Sequence, residues 1–114
     1  ENIVVYRGVL NSFIRELKID RKKDFWKRNK GFLSTSLISN FELDHGYEAI
    51  LRIYLPKGTY GAYVTNVSGR SQEQEILFLP NAYLKLLDSK RIYKEKIGKY
   101  PIYNCILDYL ESDL

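Results

Sequence analysis

The sequence predicts an α+β domain dominated by strands, with two packed, mostly antiparallel sheets. Three observations carry that expectation. Residues Glu48 to Leu55 alternate, with Ala49, Leu51, Ile53 and Leu55 on one face and Ile50, Arg52 and Tyr54 on the other, the period of a strand. Tyrosine, a strand-favouring residue, occurs ten times, and many of these positions fall within alternating runs. Helical spacing is confined to one stretch near the N-terminus. The count is six to eight strands against one or two short helices, and two sheets face to face would bury that pattern best.

The elements follow in order. Ile3 to Tyr6 is a β-branched and aromatic run that ends at Arg7-Gly8, a strand with a functional group at its end. Phe13, Ile14 and Leu17 predict a short helix from about Ser12 to Lys18, capped by Asn11 or Ser12. The cluster Asp20-Arg21-Lys22-Lys23-Asp24 then reads as a basic loop or second turn. Its plain interpretation is a solvated face, and a docking patch is the alternative. Gly31 to Leu37 is the next strand, and Ser39 to Gly46 a loop. The alternating strand stops at Pro56-Lys57-Gly58. Gly61 to Val64 is a short strand, Asn66 to Gln72 a polar loop, and Ile76 to Leu79 a buried strand closed by Pro80. Tyr83 to Tyr93 and Ile102 to Leu110 complete the set, joined by a basic turn over Lys94 to Lys99.

The totals narrow the function classes. A chain of 114 residues with 45% hydrophobic and 28% charged content makes one globular domain with a real core. A net charge of +4 is too modest to imply nucleic-acid binding. A single cysteine, Cys105, cannot form an internal disulfide and reads as core within its strand. No apolar run approaches the roughly 20 residues that span a bilayer. The sequence contains no methionine and begins at Glu1, which predicts a processed product or an excised domain. His45, the one histidine, has no cysteine or second histidine near it to share a metal, and takes no role.

The chemistry concentrates in Ser71-Gln72-Glu73-Gln74-Glu75-Ile76-Leu77-Phe78-Leu79-Pro80. In an extended chain, residues two apart project to the same side. Glu73 and Glu75 therefore point into one space, with Gln74 turned away. Two converging acids can divide the labour, one stabilising positive charge and the other handling a proton or a cationic acceptor. An acidic strand edge that merely keeps the sheet soluble is the bland alternative.

Three separated pieces line up with that pair: Tyr6-Arg7-Gly8, then Gly31-Phe32-Leu33-Ser34-Thr35-Ser36, then Lys57-Gly58-Thr59-Tyr60-Gly61-Ala62-Tyr63-Val64 ahead of the acids. Each is common alone. In this order, from about Val4 to Pro80, they resemble the arginine–serine-threonine-serine–glutamate class of mono-ADP-ribosyltransferases. That class includes bacterial actin-modifying binary toxins, Rho-modifying exoenzymes and vertebrate ecto-transferases. The resemblance implies a fold whose sheets form an NAD cleft, here apparently without the N-terminal helical part. It implies NAD as co-substrate and no metal. It assigns Arg7 to the pyrophosphate or the adjacent ribose, where a planar, permanently charged fork suits two phosphates. Gly8 lets the backbone approach the nicotinamide carboxamide. Ser34 positions the catalytic carboxylate, Thr35 and Ser36 line the strand, and Phe41 stacks on the nicotinamide. Glu75 stabilises the oxocarbenium-like transition state through the ribose 2′-hydroxyl. Glu73 faces the acceptor, and a glutamate there goes with arginine targets.

The implied function is an arginine-directed protein mono-ADP-ribosyltransferase, the catalytic core of a bacterial toxin or effector. Its partners would be a protein substrate with an acceptor arginine and a translocation or delivery component. It would be secreted and act in the target-cell cytoplasm. Two departures stand out. No additional arginine lies between Leu37 and Tyr47 to grip a phosphate, and the target-recognition loop Asn66 to Gln72 carries Arg70 rather than an exposed aromatic. An NAD glycohydrolase on the same scaffold, or a non-enzymatic β-rich interaction module, are the other readings.

Overall fold

A computed structural model describes residues 3–37, 46–56, 64–66, 75–87, 96–97 and 100–110. Its elements are β1 (Ile3–Val9), α1 (Asn11–Lys22), β2 (Lys27–Asn29), β3 (Leu33–Ser36), β4 (Ala49–Leu55), β5 (Val64–Asn66), β6 (Glu75–Phe78), β7 (Ala82–Leu86), β8 (Lys96–Ile97) and β9 (Tyr100–Asp108). The domain is β-dominated, and among the described residues the ladders are antiparallel except β4 with β9.

The hydrogen-bonded order is β2-β7-β9-β4-β1-β3-β6-β5. Its weak joint is between β1 and β3, which share the single pair Tyr6↔Ser36. By contrast, β1 pairs with β4 along its whole length, from Ile3↔Leu55 to Val9↔Ala49. The two expected sheets are thus a larger half ending at β1 and a smaller half β3-β6-β5, joined at one residue pair. Both halves feed one core: Val5, Leu51, Ile53, Leu84 and Leu107 from the first, Leu33, Ile76 and Phe78 from the second. The alternating pattern of β4 is realised, with Ala49, Leu51, Ile53 and Leu55 all buried. Cys105 lies wholly inside, and burial pushes its thiol pKa up, so it packs as a small hydrophobe.

Several boundaries differ from the sequence reading. The helix runs on through Lys22, so most of the charged cluster is helical rather than a loop. No glycine or proline interrupts it, and its basic last turn complements the helix dipole. Nor does Asn11 or Ser12 cap it: Leu10 stands at the N-cap with no side-chain bond, and the Asn11 N–H donates instead to Glu48 Oε1 at 3.0 Å. That carboxylate, supplied from just before β4, does the capping at long range. Arg7 and Gly8 fall inside β1, not at its end, because β4 pairs with both. Strand β2 has no apolar pattern and forms by pairing with β7. The expected basic turn holds β8, which pairs Lys96↔Pro101 and Ile97↔Tyr100 with β9. Of the expected strand Gly61 to Val64, only Val64 is among the described residues, where it opens β5.

The end of α1 is a left-handed stop built without glycine. Asp24 has φ of 60°. Its N–H donates to Arg21 O at 2.9 Å, and the Phe25 N–H donates to Asp20 O at 2.7 Å, the paired bonds of a Schellman motif. The Lys85 ammonium holds the Asp24 carboxylate at 2.6 Å, and this hydrogen bond and the charge behind it lower the Asp24 pKa. The unfolded chain therefore binds more protons than the folded one between the lowered and the ordinary value of about 3.9. This contribution is present above pH ~4 and fades as pH falls through the lowered pKa. Thermal melts from pH 6 down to pH 2 should show a shallower acid loss for Lys85→Ala than for the parent chain. The pair is exposed, so the difference will be small.

Candidate functional site

The site is built where the two halves of the sheet part. Past Tyr6↔Ser36 the strands β1 and β3 make no further pair, which leaves the backbone of Ser34 without a β1 partner. The side chain of Arg7 fills that gap. Its guanidinium Nη1 donates to Ser34 O at 2.7 Å, leaving the rest of a five-donor fork for other acceptors. On the other side of β3, the Ser34 Oγ donates to Glu75 Oε1 at 2.5 Å. Three residues from three strands are linked through two hydrogen bonds that meet on Ser34.

The register explains why these side chains meet. Ser34 stands opposite Leu77 and Ser36 opposite Glu75, so both serines share a face with the carboxylate. The neighbouring residues take the other face. Leu33, Thr35, Ile76 and Phe78 are buried, and the Thr35 Oγ1 donates to Ile76 O at 2.8 Å inside the core. Thus the serine-threonine-serine run divides its labour by pleat. The serines look toward Glu75, and the threonine ties β3 to β6 from below.

A cavity of about 440 Å³ opens beside Arg7 and Gly8, walled by Phe13 and Glu16 of α1, Asn29 of β2, and Tyr47. That volume falls in the range typical of small-molecule sites, roughly 300–1,000 Å³. Ser34 and Glu75 are not in its wall; Arg7 joins the cavity to them. Lys27 pairs with Glu16 at 3.2 Å and lies over the Phe13 ring at 5.3 Å, which fixes that wall by charge and by cation–π contact.

The glycine after Arg7 has a concrete task. A Cβ built on Gly8 would fall 2.5 Å from Cδ2 of Tyr47. The Tyr47 ring rests on the bare backbone of β1 in space any other residue would claim. Tyr47 was not singled out from the sequence, although a glycine beside an arginine inside a strand is a signal of close approach. Gly8→Ala should drive the ring out of its seat. The expected outcome is a several-fold weaker affinity for whatever the cavity holds, read by ligand titration, with Tyr47→Ala reproducing it.

Among the sequence-predicted residues, Arg7, Gly8, Ser34 and Glu75 are therefore gathered in one region. Phe41, Glu73 and the loop from Asn66 to Gln72 lie outside the described residues, apart from Asn66, which ends β5. So does His45. No group of three or more potential metal ligands occurs among the described residues.

A family model described as ADP-ribosyltransferase exoenzyme matches residues 1–100. Comparison with curated protein sequences found no match. Among solved structures, Plx2a, an ADP-ribosyltransferase toxin from Paenibacillus larvae, superposes with a TM-score of 0.65 at 19% identity, over 95% of this chain and 62% of that one. The Clostridium limosum C3 exoenzyme gives 0.64 at 18%, over 95% and 60%. The ADP-ribosylating toxin BECa of a C. perfringens binary enterotoxin, solved with NADH, gives 0.62 at 25%, over 95% and 31%. The chain spans less than two thirds of the length of each of these proteins.

Proposed function

We propose that this chain, which belongs to the ADP-ribosyltransferase exoenzyme family, cleaves NAD at the nicotinamide–ribose bond and transfers ADP-ribose to an arginine of a protein substrate. The observation that carries the reading is the linked set Arg7, Ser34 and Glu75, which brings a cation, a hydroxyl and a carboxylate together beside a cavity. NAD is read as the co-substrate. The residues present suit it: a guanidinium with unspent donors for phosphate, and an aromatic ring on the bare strand beside it.

Each residue then has a distinct task. Arg7 neutralises phosphate charge while its bond to Ser34 O keeps β3 at a fixed distance. Ser34 takes up Oε1 of Glu75 and so orients the carboxylate. That leaves Oε2 to accept from the ribose 2′-hydroxyl. As the glycosidic bond stretches, positive charge grows on the anomeric carbon. A carboxylate already fixed at that place stabilises it without reorganising, more strongly in the transition state than in the ground state. Glu73 is assigned to the acceptor: a carboxylate grips a guanidinium bidentately and removes its proton during attack. Tyr47, which lies on Gly8 and lines the same cavity as Arg7, takes a share of ring stacking alongside Phe41. We read the chain as part of a secreted bacterial toxin or effector that acts in the cytoplasm of a target cell after delivery by a partner component.

The test uses labelled NAD with cell lysate, followed by mapping of the modified residue. Label on arginine supports the assignment, and label on asparagine or glutamine would overturn the acceptor choice. Glu73→Gln separates transfer from hydrolysis. It should abolish protein labelling while NAD cleavage persists; equal loss of both would instead point to an NAD glycohydrolase.

A further inference from the structure

We propose that the C-terminal end of α1 and the turn after it form a docking surface for an anionic lipid bilayer. Residues 15–30 carry eight Lys or Arg against three Asp or Glu, a surplus of five in a chain whose whole net charge is +4. The remainder of the sequence sums to slightly acidic, and residues 85–99 form a second basic stretch, with six Lys or Arg against two Asp or Glu. Two of those three acids are already engaged, Glu16 with Lys27 and Asp24 with Lys85.

Apolar groups stand within the same patch. Ile14 and Leu17 turn inward to the core, while Ile19 is 54% exposed on the opposite side, flanked at helical spacing by exposed Arg15 and Lys22. Phe25 is 60% exposed and Trp26 37%. In many Schellman motifs the residue in the Phe25 position folds back on the helix. Here Phe25 stays in water instead, while Lys85 ties the Asp24 carboxylate beside it. The Lys85 ammonium also lies 5.8 Å from the Trp26 ring, which fixes the indole's pose.

The chemistry of this patch selects its partner. Long basic side chains with aliphatic stems, surrounding a projecting Ile, Phe and Trp, match an interface of anionic headgroups above acyl chains. An indole prefers that boundary because one edge is polar and the rest apolar. A nucleic acid would be met by stacking platforms along a groove, and a helix end is convex. A folded acidic protein would need a fitting cavity for each projecting ring, whereas a headgroup layer adapts to them. Ile19, Lys22, Lys23, Phe25 and Trp26 are not among the residues that line the cavity, and the proposal rests on none of the chemistry assigned to the cleft.

Trp26 is the only tryptophan in the chain, so its emission reports directly on the patch. The chain is titrated with phosphatidylcholine vesicles, with and without phosphatidylserine, and bound protein is sedimented. The expected result is binding and a blue shift only with phosphatidylserine, both lost in 1 M salt. The double change Lys22→Ala, Lys23→Ala should weaken partitioning about 25-fold, near fivefold for each charge. Phe25→Ser should weaken it further while leaving the salt dependence in place. Absence of a shift on phosphatidylserine vesicles at low salt overturns the proposal. Binding that ignores all three substitutions also overturns it, as does equal affinity for soluble heparin, the mark of a general polyanion site.

Discussion

Glu75→Gln is expected to lower NAD cleavage about 10²- to 10³-fold while NAD binding changes little. The amide has the carboxylate's shape, and its oxygen can still accept from Ser34 Oγ at the place Oε1 now occupies. The packing of β6 stays intact, since Ile76 and Phe78 supply its buried face and Glu75 lies on the other. What vanishes is the negative charge that the proposed function sets beside the anomeric carbon. A single preorganised electrostatic contact of this kind contributes about 2.7–4 kcal/mol to a transition state, which sets the size of the expected loss. Ser34→Ala removes the orienting bond but not the charge, so its effect should be nearer tenfold, in the range of one lost hydrogen bond to a charged group. Single-turnover assays with both variants, alongside NAD titrations, check the order. A Ser34→Ala loss as large as that of Glu75→Gln would mean that orientation, not charge, dominates.

These expectations start from residues that were legible in the sequence. Alternation alone gave β4 and its buried face, because a period of two is unambiguous when one side is apolar. The arginine, the serine run and the second glutamate were readable as a set through family resemblance, whereas the i, i+2 phase was read only for Glu73 and Glu75, and Glu73 lies outside the described residues. The reach of α1 was less readable. Basic residues favour helix and loop alike in a linear reading, and past Lys18 no buried apolar residue marks the helix, which runs on because nothing breaks it and its basic last turn suits the dipole. Strand β2 left no trace at all, since Lys27-Arg28-Asn29 acquires strand geometry from its partner β7. Tyr47 and the long-range cap by Glu48 were hidden for a different reason. Each depends on a contact between segments about 40 residues apart, Tyr47 on Gly8 and Glu48 on Asn11, which no local pattern announces.

Phe78→Ala should be the most damaging single change to stability, at about 3–5 kcal/mol. The side chain is wholly buried, and it stands in register with Leu33 on one side and Val64 on the other. It is thus the residue through which β6 grips both neighbours in the smaller half of the sheet. That half has little else: Leu33, Thr35 and Ile76 are its other buried side chains among the described residues, and its strand pairing with the larger half is one residue pair, so the shared core carries most of the attachment. Neighbours so sparsely tied can collapse only partly around a lost ring, so the cavity cost adds to the lost transfer energy. A domain of this size has roughly 5–15 kcal/mol in total. The variant should melt at least ~12 °C lower, whereas Phe78→Leu, which keeps most of the volume, should cost about 1.5 kcal/mol or less. The functional consequence follows from the pleat. Glu75 begins the strand that Phe78 anchors, three residues away, so a loosened β6 lets the carboxylate drift from Ser34 before the domain unfolds. Activity of Phe78→Ala should therefore fall at temperatures where its far-ultraviolet circular dichroism is still native. Loss of activity and of secondary structure along a single curve would show instead that the two halves of the sheet unfold as one unit.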